Sequence, residues 1–222
     1  MQILKKWGST AFAIIAFGFG GSANASNDPA MDAQVSHIDN EWARIKYQVK
    51  DSDARVRQMD ALAKQAAAVV ARYPGRAEPL LWQGIATSEE AAMANVFHQL
   101  SLATTARDIL QKAAKIDPKA AKGGVVMSLG VLYYKVPGWP VGFGSKEKAQ
   151  HYLQNALVLD PDGLDANYFY GDFLIAQGDY AKAKLYLARA LKAPVNPHRP
   201  VWDSGRRADV RELIAKADKH LG

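Results

Sequence analysis

Two stretches near the C-terminus of this 222-residue chain superimpose at an offset of 34 residues. Ala149 falls on Ala183, Leu153 on Leu187, Ala156 on Ala190 and Leu157 on Leu191. A fixed period of this length, with small and large apolar positions recurring in step, is the mark of helical hairpins stacked in an array. The physics of the pattern is steric. Gly171, Ala183 and Ala190 stand where two helices must cross closely, and Leu187 and Tyr180 fill the wider gaps. Gly178 suits the end of one helix, and Asp179 suits the N-cap of the next.

The earlier copy keeps Gly130, Ala149, Leu153, Ala156 and Pro161, but Gly130 and Gly171 are 41 residues apart, seven more than the period. The surplus falls in "YYKVPGWPVGFGS", residues 133–145, which reads as a loop inserted between the two helices of one repeat. A weaker copy carries Gly84, Ala106, Leu110, Ala113 and Pro118, with about ten extra residues before Ala106, read as a long connection over 86–105. Residues 53–73 read as a lone helix stopped by Pro74 and Gly75. Val35, Ile38, Trp42, Ile45 and Val49 recur at helical spacing, and so do Val210, Leu213, Ile214, Ala217 and Leu221 in a terminal helix that would close the array against water. The expectation is an all-α solenoid of about nine helices. It divides into an N-terminal amphipathic helix over 26–52, a repeat array over 53–202 and a capping helix over 203–222.

Residues 1–25 have the form of a secretory signal. Lys5 and Lys6 precede an apolar run, and Ala23-Asn24-Ala25 offers a small-x-small cleavage pattern. The run is about half the ~20 residues that span a bilayer, so no stable membrane anchor is expected. The expected compartment, for a Gram-negative source, is the periplasm, with cleavage after Ala25. The chain has no cysteine, which removes disulfides, thiolate metal sites and cysteine nucleophiles. Loss of Lys5 and Lys6 would lower the formal net charge from +6 to +4, spread along helices rather than gathered in a nucleic-acid-binding stripe. The five histidines lack ligand spacing, so no metal is expected. "GFGSK" lacks the order of a phosphate loop and "GSK" lacks the frame of a nucleophile elbow, so neither a nucleotide cofactor nor an enzyme is expected.

The helix-turn-helix unit of 164–194 resembles the tetratricopeptide repeat. Together with "KVPGWPVGFG" and the "GRR" at 205–207, it makes residues 53–216 similar to the T-component (TatT) proteins of tripartite ATP-independent periplasmic (TRAP) transporters. The resemblance implies an all-helical periplasmic protein that self-associates, partners a substrate-binding protein and handles hydrophobic ligands. Those components are typically lipoproteins, whereas this chain has no cysteine to carry a lipid.

In a tetratricopeptide array the first helix of each repeat lines a concave groove. Counting from the helix glycines places Leu81 and Ile85, then Met127, Val131 and Tyr134, then Tyr168, Asp172 and Ile175 on that face. The groove is therefore expected to be largely apolar and to engage a protein partner or an apolar small ligand. Alternatively, the connections at 86–105 and 135–144 fill it. Trp139 and Phe143, on a loop stiffened by Pro137 and Pro140, are expected to be buried against helices as a plug or as a pocket wall. Arg206 and Arg207, read as the first turn of the last helix, either pair with acids such as Asp203 and Asp209 or hold an anionic group. A second functional reading is an envelope assembly scaffold acting only through protein contacts.

Overall fold

The computed structural model describes residues 28–222 of the chain; the signal-like segment lies outside them. Nine helices and no strand are found among the described residues. They are α1 (Pro29–Gln48), α2 (Ser52–Arg72), α3 (Ala77–Met93), α4 (Val96–Ile116), α5 (Ala120–Lys135), α6 (Lys146–Leu159), α7 (Leu164–Ala176), α8 (Tyr180–Lys192) and α9 (Pro200–Leu221).

The hairpins α3–α4, α5–α6 and α7–α8 are built by one steric device used three times. A Cβ added to Gly84, Gly130 or Gly171 would stand 2.6 to 2.7 Å from the Cγ of Leu110, Leu153 or Leu187 respectively. Each leucine is fully buried in the notch its glycine leaves. The flanking alanines, Ala106 and Ala113, Ala149 and Ala156, Ala183 and Ala190, are buried too. The surplus residues of the first repeat are helical, because α3 and α4 are longer than α7 and α8. The expected connection over 86–105 therefore does not exist as a loop: only Ala94 and Asn95 separate the two helices, and Asn95 caps α4 by accepting from the Phe97 N–H.

Five helices, α1, α3, α5, α7 and α9, form an inner layer in which each touches the next, and α1 also touches α9. The outer helices α2, α4, α6 and α8 each contact the inner helices on either side and not one another. The array therefore curves tightly enough to close on itself. Its closing seam joins parts of the chain some 160 residues apart. Tyr47 donates to Asp209 (2.8 Å), Arg199 pairs with Asp39 (2.5 Å), and Gly205 lies where a Cβ would meet the Tyr47 ring at 2.5 Å.

Helix α9 starts at Pro200, earlier than the sequence suggests, so Arg206 and Arg207 stand in its second turn and the dipole penalty does not apply. The inserted loop is compact. Gly144 N–H donates to Pro137 O (2.9 Å) and Ser145 N–H to Tyr133 O (2.9 Å), and Ser145 caps α6. These bonds turn Phe143 onto the Tyr133 ring (5.7 Å, nearly perpendicular), and the Arg107 guanidinium lies 4.5 Å from the centre of the Phe143 ring. The loop therefore packs beside α4 and not over the concave face. Trp139 is 90% exposed, which corrects the expectation that it is buried as a plug or wall.

Candidate functional site: a cavity inside the ring

The five inner helices line an open-mouthed cavity of about 410 Å³. Each contributes, because in a hairpin array the inner helices run the same way and present corresponding turns to the middle. α1 supplies Trp42 and Lys46, α3 supplies Leu81, Trp82, Ile85 and Glu89, and α5 supplies Met127, Ser128 and Val131. Asp165, Tyr168, Phe169 and Asp172 come from α7, and Arg206 from α9 with its N-cap Arg199. Of the residues the sequence placed here, Leu81, Ile85, Met127, Val131, Tyr168, Asp172 and Arg206 line the cavity. Tyr134 stands behind it and donates to Asp172 (2.7 Å). Burial, reinforced by Asp172, pushes the Tyr134 hydroxyl's pKa well above the ordinary tyrosine value. Ile175, Trp139, Phe143 and Arg207 are not among the lining residues.

Ion pairs stitch four of the five inner contacts. Lys46 meets Glu89 (2.7 Å) between α1 and α3, and Lys135 meets Asp172 (2.6 Å) between α5 and α7. Arg206 meets Asp165 (2.6 Å) between α9 and α7, and Arg199 meets Asp39 between α9 and α1. Lys46 and Glu89 mark one end of the cavity, near the C-termini of the inner helices. The two arginines mark the other end.

Arg206 is the most buried charge, 2% exposed. Its Nε donates to Asp165 and its Nη1 to Asp209 (3.2 Å), and its guanidinium lies 4.2 Å from the Tyr168 ring and 4.7 Å from the Phe169 ring. Burial works against its charge, but Asp165, the nearby tyrosines and Asp209 outweigh it and keep the group ionised. Tyr168 is pushed up to about 12, chiefly by its burial. Asp39 is raised to about 6 because burial outweighs the pull of Arg199. Arg207 has a different task. It pairs with Asp203 (2.8 Å) and donates to the carbonyls of Leu191 (2.9 Å) and Ala193 (2.7 Å), capping the C-terminal end of α8. Both arginines thus have protein acids as partners, the first of the two alternatives, and neither is an open anion site.

The sequence reading missed Trp42, Trp82, Phe169, Asp165 and Arg199 as cavity residues. The signal was present in the alternation itself: counting back two helices from α3 gives α1 an inner position, with Trp42 on its apolar face.

A second opening of about 770 Å³ adjoins the arginine end and shares Ala121, Gly124, Met127, Asp165 and Arg199 with the cavity. Its edge includes Ala121 and Lys122, both left-handed (φ 51° and 52°), where α5 bends before its regular turns begin. An L-residue in that conformation costs about 1–2 kcal/mol, which the packing around the bend must offset. Among the described residues, no cluster of His, Asp or Glu has the form of a metal site, and no helix is long and apolar enough to cross a membrane.

This architecture is that of a tetratricopeptide-type helical-repeat protein. Residues 144–217, a third of the chain, match the sequence model of the tetratricopeptide repeat family. No curated protein matches the chain. Among solved structures, the chain is similar to TTC0263, a thermophilic tetratricopeptide protein of Thermus thermophilus, with a TM-score of 0.57 and 18% identity over 86% of this chain and 92% of that one. A structure of MamA aligns at a TM-score of 0.43 and 19% identity, over 74% of this chain and 89% of that one.

Proposed function

We propose that this is an exported helical-repeat binding protein that holds a compact, largely apolar ligand in its central cavity. The observation that supports this most is the closure of α1 on α9. An open tetratricopeptide groove can receive an extended or helical peptide, but here α1 takes one wall of that space. The cavity that the inner helices line, about 410 Å³ beside the second opening of about 770 Å³, is within the few-hundred-Å³ range of small-molecule sites. The signal-like N-terminus supports export to the periplasm, and the likeness to transporter T-components supports exchange of the ligand with a substrate-binding protein.

The test is binding of the neutral fluorescent probe N-phenylnaphthylamine to the protein purified without detergent. Wild type should enhance its fluorescence saturably. Val131→Trp, which fills the cavity from α5, should abolish the enhancement while leaving the helical circular dichroism intact. Equal enhancement by the two proteins would reject the cavity as the site.

A second reading, as an envelope scaffold, draws support from the outer face. Trp139 and Phe97 are almost fully exposed, and residues close to them in the chain, Val141 and Leu100, line with Ala91 and Leu132 an apolar hollow of about 360 Å³ between α3, α4 and the inserted loop. Self-association through this patch should persist at high salt and disappear in Trp139→Ala, as read by size-exclusion chromatography.

A further inference from the structure

The outer face of the array carries an apolar patch that the packing of the helices does not use. Trp139 is 90% exposed, Phe97 88% and Val141 65%. The loop holds its share of the patch outward by its own bonds. The N–H groups of Val141 and Gly142 both donate to Gly138 O (3.1 and 3.0 Å), which closes the turn that carries Trp139. Gly142 lies so near α4 that an added Cβ would stand 3.2 Å from Leu100 Cδ1. Phe97 precedes Leu100 by one turn on that helix and extends the patch along it. An apolar surface fixed in the open by a rigid turn marks a contact with something outside the molecule.

The charge around the patch is one-sided. The stretches 96–106 and 133–146, which hold its exposed apolar side chains, contain no acid. Lys135 lines the hollow, and Lys146 and Lys148 stand exposed in the first turn of α6, directly after the loop. Acids on the flanking elements are engaged. Asp172 holds Lys135 (2.6 Å), Asp108 pairs with Arg107 (2.7 Å), Glu147 accepts from the Ser145 hydroxyl (3.0 Å) and Glu89 meets Lys46 (2.7 Å). A two-fold contact between copies would bring like charges together. The two aromatics also offer only roughly 300–500 Å² between them, against about 800 Å² per partner in a stable protein interface. Negative headgroups above apolar chains match both the charge and the small apolar area.

We infer that this patch docks the protein onto the surface of an anionic phospholipid bilayer. Trp139 and Phe97 enter the boundary between headgroups and acyl chains, where amphipathic rings are favoured, and Lys146 and Lys148 rest on lipid phosphates. The contact is peripheral, since no helix among the described residues is long and apolar enough to cross a membrane. The inference goes beyond both readings above. It needs no ligand in the cavity, and it gives the patch a lipid surface in place of a second copy.

The test is co-sedimentation of the protein, purified without detergent, with two kinds of vesicle: phosphatidylethanolamine mixed with phosphatidylglycerol, and phosphatidylcholine alone. Wild type should bind the anionic vesicles about tenfold more strongly, the gain expected of two lysines near such a surface. Lys146→Gln combined with Lys148→Gln should remove most of that preference. Trp139→Ala should weaken binding to the anionic vesicles about tenfold, and adding Phe97→Ala should weaken it further. Circular dichroism and thermal melts should stay those of wild type, because both rings lie outside the core. Brominated acyl chains should quench tryptophan fluorescence in wild type and far less in Trp139→Ala, which places the ring in the bilayer directly. Absence of vesicle binding, equal binding by wild type and the Trp139→Ala, Phe97→Ala variant, or equal binding to the two vesicles would each overturn the inference. If wild type ignores vesicles but forms a dimer that Trp139→Ala dissolves, the patch is a protein interface, and the inference falls while the scaffold reading stands. Loss of N-phenylnaphthylamine binding would reject the cavity reading alone.

Discussion

The seam between α7 and α8 and the seam between α1 and α9 hold the same ring together by opposite means. The first is wholly steric and local: Leu187 sits in the notch of Gly171, sixteen residues before it in the chain, with Ala183 and Ala190 on either side. The second adds polar bonds to apolar packing and joins the two ends of the described chain. Tyr47 bonds Asp209, Arg199 bonds Asp39, and at Gly205 a glycine meets the aromatic face of Tyr47. A steric seam can be copied from repeat to repeat. A closing seam occurs once, so its residues have no counterparts elsewhere. The difference teaches that periodicity marks what stacks the array and says little about what ends it.

The comparison can be broken most forcefully at the steric seam. Leu187→Ala should lower unfolding free energy by about 2–5 kcal/mol, read from denaturant melts, because the rigid Gly171 backbone cannot collapse into the space. Next comes the buried charge. Arg206→Met removes the cation from Asp165 and Asp209, and should cost about 3 kcal/mol, the low end for a broken buried pair since both acids keep some solvent contact and one neutral donor each, Trp202 and Tyr47. A loss as large and as cooperative as that of Leu187→Ala would show that the polar seam belongs to the same folding unit. Gly205→Val should cost about 1–3 kcal/mol by driving a methyl into Tyr47. Here the sharper readout is faster hydrogen exchange in α1 than in α7.

The smallest effect is a pH dependence. The Asp39 carboxyl titrates near 6 in the folded protein against an ordinary 3.8, so the folded state holds this proton more tightly than the unfolded state does. The stability of wild type relative to Asp39→Asn should therefore fall as pH rises from about 4 to about 6 and stay level above that. Paired melts across this window would detect it, and a difference that rises with pH would reject the assignment.

The legible part of the molecule follows from this contrast. The 34-residue step placed α5 to α8, and the surplus of seven placed the loop, because each rests on contacts within one hairpin. Leu81, Ile85, Met127, Val131 and Tyr168 were placed on the inner face by the same register. Trp139 was misread because its composition, an aromatic among prolines, suggests burial, whereas the hydrogen bonds across the loop neck turn Phe143 inward instead. The 86–105 stretch was misread because added turns of helix and an added loop lengthen a repeat equally in sequence. The alternation gives Trp42 an inner position, but its meeting with Trp82 and Arg199 depends on the total curvature of the array, a sum over every repeat that no single stretch records.

Closure also changes how the array can come apart. An open solenoid has two free ends, and each terminal helix is held by one neighbour and frays alone. Here α1 and α9 are neighbours, so releasing either requires breaking two inner contacts at once. The price is paid in folding kinetics: hairpins of short sequence separation can assemble quickly, but the final joining of Asp39 to Arg199 must wait for every repeat between them to be in place. Such a ring should open rarely and as a whole.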